Sequence, residues 1–348
     1  MEKDMTQYTQ ADFKSDQPLK FCAGCGDHAV AASMQRAMAE LGIAPSQTAV
    51  ISGIGCSSRM PYYMNTYGMH TIHGRGLAIA TGLKVARPDL TVWNVTGDGD
   101  CLAIGGNHFI HAMRRNIDLN IILFNNKIYG LTKGQYSPTS DRGLVTKSSP
   151  WGTVEDPFCP AELCIGARGT FFARAIDGDI KNSITAMKAA VNHKGASVVE
   201  MLCNCVIFAD GIHKLVTDPA VRADKTIVLE DGKPMIYGKN RDKGLVLDGW
   251  NIKSVTLGEN GITEKDLLVH DSKMVDPTFH LKLAMMGYSP YGYAGATDDL
   301  PIALGVIRDV EGMSYDEAVA GQIEEVKGKK KARTLRELLL SGDTWEVK

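Results

Sequence analysis

LTVWNVTGDGDCLAIGGNHFIHAMRRNIDLNIILFNNKIYGLTKGQ, residues 90–135, holds two short apolar runs, each stopped by a polar turn. The first, 90–95, carries β-branched residues and halts at Gly97-Asp98-Gly99-Asp100; the second, 119–124, halts at Asn125-Asn126. Apolar runs of this length bounded by turn residues predict strands. Residues 101–115 between them predict a helix interrupted at Gly105-Gly106. A strand, crossover and strand form a right-handed βαβ unit, so both turns leave the carboxyl edge of a parallel sheet. That edge is where open α/β sheets bind ligands. The expected fold class is α/β, a doubly wound and mostly parallel sheet.

The two turns together predict a metal-diphosphate site. Asp98 offers a carboxylate oxygen and Asn126 an amide oxygen, both hard ligands suited to magnesium. Gly97 and Gly99 let backbone approach a phosphate closely. Asp-Gly alone is a common turn pair; its pairing with Asn-Asn after the next strand is what makes the signal specific. GDG followed by NN across a crossover resembles the thiamine diphosphate motif. There magnesium takes the Asp, the second Asn and a backbone carbonyl two residues on, which implies Asp98, Asn126 and Ile128 here.

The chain has 348 residues, enough for a large core and more than one average domain. With 38 basic and 40 acidic residues the net charge is −2, without a basic patch, which argues against a nucleic-acid partner. No apolar run approaches the roughly 18–20 residues of a membrane span, and the polar start does not read as a signal peptide. The expected address is the cytoplasm, where eight cysteines point to metal or redox chemistry rather than disulfides.

In chain order, residues 1–20 are polar and are expected to lie loose or to cross another chain. Next comes FCAGCGDH, with Cys22 and Cys25 spaced CxxC before a predicted helix over 27–41 whose methionines read as core. The strand TAVISGIG delivers Cys56, and HGRG from His73 opens a helix to about residue 86, expected to pack closely through Gly76 and Gly82. Residues 129–160 form a long segment with few strand signals, the kind of loop that is usually functional or a lid. A strand over 170–176, a helix to about 193 and a strand over 196–202 make the last αβ layer, ending in Cys203-Asn204-Cys205. Beyond 206 the pattern weakens: DGKPMIYG reads as a hairpin, LRELLL as a terminal helix, and EEVKGKKKAR as a solvated face. The expected division is a polar segment 1–20, a cofactor domain 21–212 and a C-terminal extension 213–348.

A lone CxxC fits a redox dithiol, a zinc half-site or an iron–sulfur half-site. Here Cys56 and Cys205 reach the same sheet edge as Cys22 and Cys25, and four thiolates suit a [4Fe–4S] cluster or zinc. Cys203 competes with Cys205 for the fourth place. Cys101, Cys159 and Cys164 read as buried free thiols.

At this point the resemblance becomes specific. CxGCG, GIGCSSR, HTIHGR, GDGDCLAIGGNH, FNNKIYGLTKGQYSPTS and CNCVIF, spanning about 20–212, closely resemble the β subunit of 2-oxoacid:ferredoxin oxidoreductases, the 2-oxoglutarate type in particular. The resemblance implies cluster ligands Cys22, Cys25, Cys56 and Cys205, although the family's late L-x-P-C reads Leu202-Cys203-Asn204-Cys205 here. It implies oxidative decarboxylation of 2-oxoglutarate with coenzyme A to succinyl-CoA and CO2, with electrons passing through the cluster to ferredoxin. Gly97, Gly99, Asp100, Gly130 and Leu131 are expected at the diphosphate, and Ile54, Gly55, Cys56 and Ser57 between thiazole and cluster.

Arg59 is the candidate for the substrate carboxylate, because a guanidinium binds carboxylate bidentately; a structural ion pair is its plain alternative. His73 is the candidate proton or hydrogen-bond donor near the reacting carbonyl, against a plain helix-cap role. Lys133 and Gln135 are placed near substrate or a second subunit, while His70 and His108 read equally well as structural. Thiamine enzymes need a second domain that holds the aminopyrimidine. The sequence carries only the first, so an α subunit is expected as partner, in an αβ heterodimer or (αβ)2. Readings from other classes are an electron-transfer subunit without thiamine chemistry and a non-redox thiamine enzyme with zinc. Pyruvate or a branched-chain 2-oxoacid are the alternative substrates.

Overall fold

The computed structural model describes residues 7–287, 300–329, 333–343 and 345–347. Thirteen strands occur among them: β1 Thr48–Ser52, β2 Tyr67–His70, β3 Thr91–Gly97, β4 Asn120–Asn125, β5 Ile128–Tyr129, β6 Gln135–Tyr136, β7 Phe171–Ile176, β8 Ser197–Leu202, β9 Thr226–Leu229, β10 Ile236–Tyr237, β11 Lys243–Asp248, β12 Asn251–Thr256 and β13 Ile302–Asp309. The principal helices are α1 Asp27–Leu41, α2 Met60–Tyr63, α3 Gly76–Ala86, α4 Gly106–Arg115, α5 Pro160–Gly166, α6 Ile180–Asn192, α7 Lys214–Thr217, α8 Arg222–Lys225, α9 Thr278–Met285, α10 Tyr315–Lys329 and α11 Leu335–Leu339.

Eight strands form one sheet in the order β2-β1-β3-β4-β8-β7-β13-β9. The six from β2 to β7 run parallel. β13 joins antiparallel to β7, and β9 joins parallel to β13. Every residue of β4, β7 and β8 is buried, as expected of strands covered on both faces. Alternate residues feed opposite cores: Ile122, Phe124 and Val199 pack with α1 and α6, whereas Ile121, Leu123 and Val198 pack with α3, α4, α5 and α9. The doubly wound, mostly parallel reading therefore holds.

The central helix breaks where expected. A π-helical turn covers Gly99–Ile104 before α4 begins at Gly106. Close packing of α3 rests on Gly76 alone: a Cβ there would stand 2.5 Å from Asn94 Oδ1, whereas none of the surroundings comes within 4 Å of one at Gly82.

Three expectations change. Residues 7–20 are not loose: Phe13 is fully buried, Lys14 bridges to Met64, and the Lys20 amide donates to the Tyr63 hydroxyl; residues 1–6 lie outside the described residues. The hairpin expected within 231–238 is instead β10 paired with β11, which with β12 makes a small antiparallel sheet. The division at residue 212 is not a break in the main sheet, because β9 and β13 complete it. The terminal helix LRELLL is α11, and the Lys-rich stretch runs along exposed α10, with 330–332 outside the described residues. No described helix is long and apolar enough to cross a membrane.

His213 ties the start of the extension to the sheet, its buried Nε2 lying 2.8 Å from the Asn125 carbonyl. Burial, then the charge of Lys127, pushes its pKa down from 6.5 to about 3. The folded state thus holds this ring neutral. Its stabilisation is complete above pH 6.5 and is lost as pH falls toward 3. At about 1.4 kcal/mol per pH unit, the loss by pH 5 is roughly 2 kcal/mol. Thermal melts between pH 7 and pH 5 are expected to show this slope in the wild type and a shallower one in His213→Gln.

Candidate active site

Five adjacent parallel strands deliver the predicted residues to one edge. β1 is followed by Ile54–Arg59, β2 by His73, β3 by Asp98–Asp100, β4 by Asn125–Gly130, and β8 by Cys203–Cys205. Gly97 of β3 stands in register with Phe124 of β4, so the two polar turns leave the sheet side by side.

Asp98 is buried, and its Oδ2 accepts hydrogen bonds from Ser137 Oγ at 2.6 Å and Thr139 Oγ1 at 2.5 Å. Burial pushes its carboxyl pKa up, opposed by those two hydroxyls. Half-buried Asn126 accepts from the Ile128 amide at 3.2 Å. A carboxylate, a side-chain amide and a neighbouring backbone carbonyl form the oxygen donor set of a hard cation. At Gly99 a Cβ would meet the Tyr129 ring at 2.2 Å, and the Tyr129 hydroxyl donates to the Gly99 carbonyl at 3.0 Å. Glycine is required there by this close approach.

Asp100, expected at a diphosphate, joins three segments. It accepts from the Ile54 and Gly74 amides and from the Thr96 hydroxyl, and pairs with His73 Nδ1 at 2.6 Å. His73 is thereby oriented by a buried carboxylate, with its side chain 36% exposed. This is more than a helix cap.

Cys22, Cys25, Cys56 and Cys205 line one cavity of ≈ 230 Å³ with Arg59, Asn126, Gly130, Leu131 and Lys133. A Cβ at Gly130 would lie 3.5 Å from Cys205 Sγ and 3.8 Å from Cys56 Sγ. The CxxC turn meets the late Cys-Asn-Cys directly: the Cys25 thiol and the Gly26 amide both donate to the Asn204 carbonyl. Cys203 instead is fully buried in the apolar core beside Met201, so it does not reach the cavity. Burial, then the Asp27 carboxylate, pushes the Cys25 thiol up to about 12 and Cys56 up to about 11. Burial thus disfavours the thiolate at Cys25 and Cys56, and binding a metal would offset that cost. Among the described residues no three His, Cys, Asp or Glu side chains converge on a single-ion point. Four thiols around one cavity are a donor set that either a [4Fe–4S] cluster or zinc accepts.

Arg59 follows Cys56 in a short 3-10 turn and has no carboxylate partner among the described residues, against the plain ion-pair alternative. Lys133 lines the cavity, while Gln135 is exposed and bonds Thr132. His70 contacts the Tyr62 hydroxyl and His108 contacts Arg75, both structural partners. The segment 129–160 folds back through the β5–β6 hairpin and seats Ser137 and Thr139 on Asp98. Those two hydroxyls and Tyr129 are the site residues that sequence reasoning missed. The only local signal was the hydroxyl-rich Tyr136-Ser137-Pro138-Thr139-Ser140.

Residues 53–201 match the model of the family described as thiamine pyrophosphate enzyme, C-terminal TPP binding domain. The chain is 43% identical to the 2-oxoglutarate oxidoreductase subunit KorB of Mycobacterium tuberculosis, over 97% of this chain and 88% of that one. It is 45% identical to subunit beta of the 2-oxoacid:ferredoxin oxidoreductase 1 of Aeropyrum pernix, over 60% of this chain and 69% of that one. In structure it is similar to a chain of the 2-oxoglutarate:ferredoxin oxidoreductase from Magnetococcus marinus, solved with 2-oxoglutarate, coenzyme A and succinyl-CoA bound. The TM-score is 0.75 and the identity 31%, over 98% of each chain.

Proposed function

The chain belongs to the β subunits of the 2-oxoacid:ferredoxin oxidoreductases, and from that membership we propose how its own residues serve the reaction. It is the thiamine diphosphate-binding subunit of an enzyme that converts 2-oxoglutarate and coenzyme A to succinyl-CoA and CO2. The observation that carries the residue assignment is the contact between two sites: Asn126 and Gly130, beside the acidic turn, also line the four-thiol cavity.

Asp98, Asn126 and the Ile128 carbonyl hold magnesium, and the Gly97–Asp100 turn and Gly130-Leu131 border the diphosphate. Cys22, Cys25, Cys56 and Cys205 hold a [4Fe–4S] cluster. When bound, the cofactors supply an electron sink for loss of CO2 and a one-electron acceptor. Arg59, a fixed cation on the cavity wall, binds and orients the distal substrate carboxylate. His73, with Nδ1 held by Asp100, keeps Nε2 available to hold or move a proton at the reacting oxygen. The 54–57 segment joins both sites: the Ile54 amide is fixed by Asp100, and Cys56 faces the thiols. Ferredoxin receives the electrons, and an α subunit supplies the pyrimidine-binding domain within an αβ or (αβ)2 assembly.

The test is anaerobic turnover of the co-purified complex with 2-oxoglutarate, coenzyme A and a low-potential acceptor, with pyruvate in parallel. Coenzyme A-dependent reduction that prefers 2-oxoglutarate is expected. A preference for pyruvate would replace the substrate and keep the mechanism. The isolated β chain is expected to show no turnover, and activity without the α subunit would remove the case for a shared site.

A further inference from the structure

Arg174 and Glu200 form an ion pair at the centre of the sheet, with both side chains 0% exposed. Removing two charges from water costs several kcal/mol per ion, and an apolar pair of similar volume is often no worse for stability. The pair therefore needs a reason beyond holding the sheet together. Its hydrogen bonds supply one.

Glu200 Oε2 accepts from Arg174 Nε at 2.7 Å, and Glu200 Oε1 accepts from Asn125 Nδ2 at 2.7 Å. Turning the Asn125 nitrogen to the carboxylate turns its oxygen the other way, where the Thr139 hydroxyl lies at 2.9 Å. The same hydroxyl lies 2.5 Å from Asp98 Oδ2. Its single proton is shared between two acceptors, so Thr139 is the joint between the strand-end amide and the acidic turn. Ser137 holds the same Asp98 oxygen, and together the hydroxyls fix the plane of that carboxylate. Asn125 also directly precedes Asn126. On its far side Arg174 donates to the carbonyls of Ala303 in β13 and Ala284 in α9, both in the C-terminal extension.

We propose that Arg174 and Glu200, acting through Asn125 and Thr139, are positioning residues that set Asp98 and Asn126 for their cation, so that metal affinity depends on the docking of β13 and α9. This rests on the assignment of Asp98 as a metal ligand. Outer-shell partners of metal ligands are typically worth about 10–100-fold in affinity. The buried carboxylate is expected to act at that level, although it touches neither cation nor substrate.

The experiment uses the αβ complex stripped of magnesium and thiamine diphosphate. Calorimetry measures the magnesium concentration needed for cofactor binding, in Thr139→Val, Thr139→Ser, Glu200→Gln and Asp98→Asn. Thr139→Val is expected to raise that concentration by about 10–100-fold while still folding, at a stability cost of the order of one lost buried hydrogen bond. Thr139→Ser, which keeps the hydroxyl, is expected to restore it. Glu200→Gln is expected to raise it similarly, and the Thr139→Val/Glu200→Gln pair to be less than additive, as members of one network are. Should Glu200→Gln fail to fold, the Val and Ser variants decide the matter. Wild-type magnesium dependence in Thr139→Val, with binding lost in Asp98→Asn, would overturn the positioning role and leave the metal site standing. Wild-type dependence in Asp98→Asn as well would overturn the metal assignment itself.

Discussion

Asp98→Asn in the αβ complex is expected to lose magnesium-dependent binding of thiamine diphosphate and, with it, turnover. The substitution preserves shape but removes the anionic oxygen, the strongest hard donor in the set. It also changes what Ser137 and Thr139 meet, because an amide can present a nitrogen where two hydroxyls now donate to an oxygen. The effect should exceed the roughly 10–100-fold typical of outer-shell changes. Isothermal titration with magnesium and cofactor measures it. The fold should survive, since Asp98 closes no long-range ion pair among the described residues and the neutral side chain is easier to bury. Tight, magnesium-dependent binding in the variant would exclude Asp98 as a ligand.

The second large effect separates two cysteines that stand two residues apart. Cys205→Ser is expected to yield protein with little bound iron and no iron–sulfur absorbance after anaerobic reconstitution, because a hydroxyl is a poor substitute for a thiolate ligand. Cys203→Ser is expected to reconstitute fully. Its cost is stability instead: a hydroxyl placed in the apolar core beside Met201 loses about 1–3 kcal/mol if it finds no partner. Iron content and melting temperature, measured on both variants, should therefore move in opposite patterns. Normal iron in Cys205→Ser would reassign the fourth ligand.

The parallel half of the fold was legible because its strands are covered on both faces. Apolar runs such as 119–124 then stop abruptly at polar turns, and the turns themselves name the chemistry. The choice between Cys203 and Cys205 was not legible, since residues two apart on an extended chain share a face; the chain leaves β8 at Leu202, and that departure is what puts Cys203 in the core and Cys205 at the cavity. Ser137 and Thr139 escaped for a different reason. Their partner Asp98 is some forty residues away, reached only after the β5–β6 hairpin turns the chain back. β13 was missed because its register is antiparallel to β7, its middle carries Gly305 with φ +89°, and buried Arg308 breaks the apolar pattern. Residues 7–20 looked loose because a single side chain, Phe13, anchors an otherwise polar stretch.

The order of the sheet has a consequence for biosynthesis. β7 is made before β8, yet among the described residues its outer edge is paired by β13, which leaves the ribosome more than a hundred residues later. Until then the nascent chain carries an open strand edge and an arginine still waiting for the carbonyls of Ala284 and Ala303. Open edges of this kind recruit other chains, and long-range pairing is slow to form. The segment carrying the cofactor turns is therefore translated early and completed late. A half-made subunit cannot close its sheet around the buried arginine until α9 and β13 have emerged.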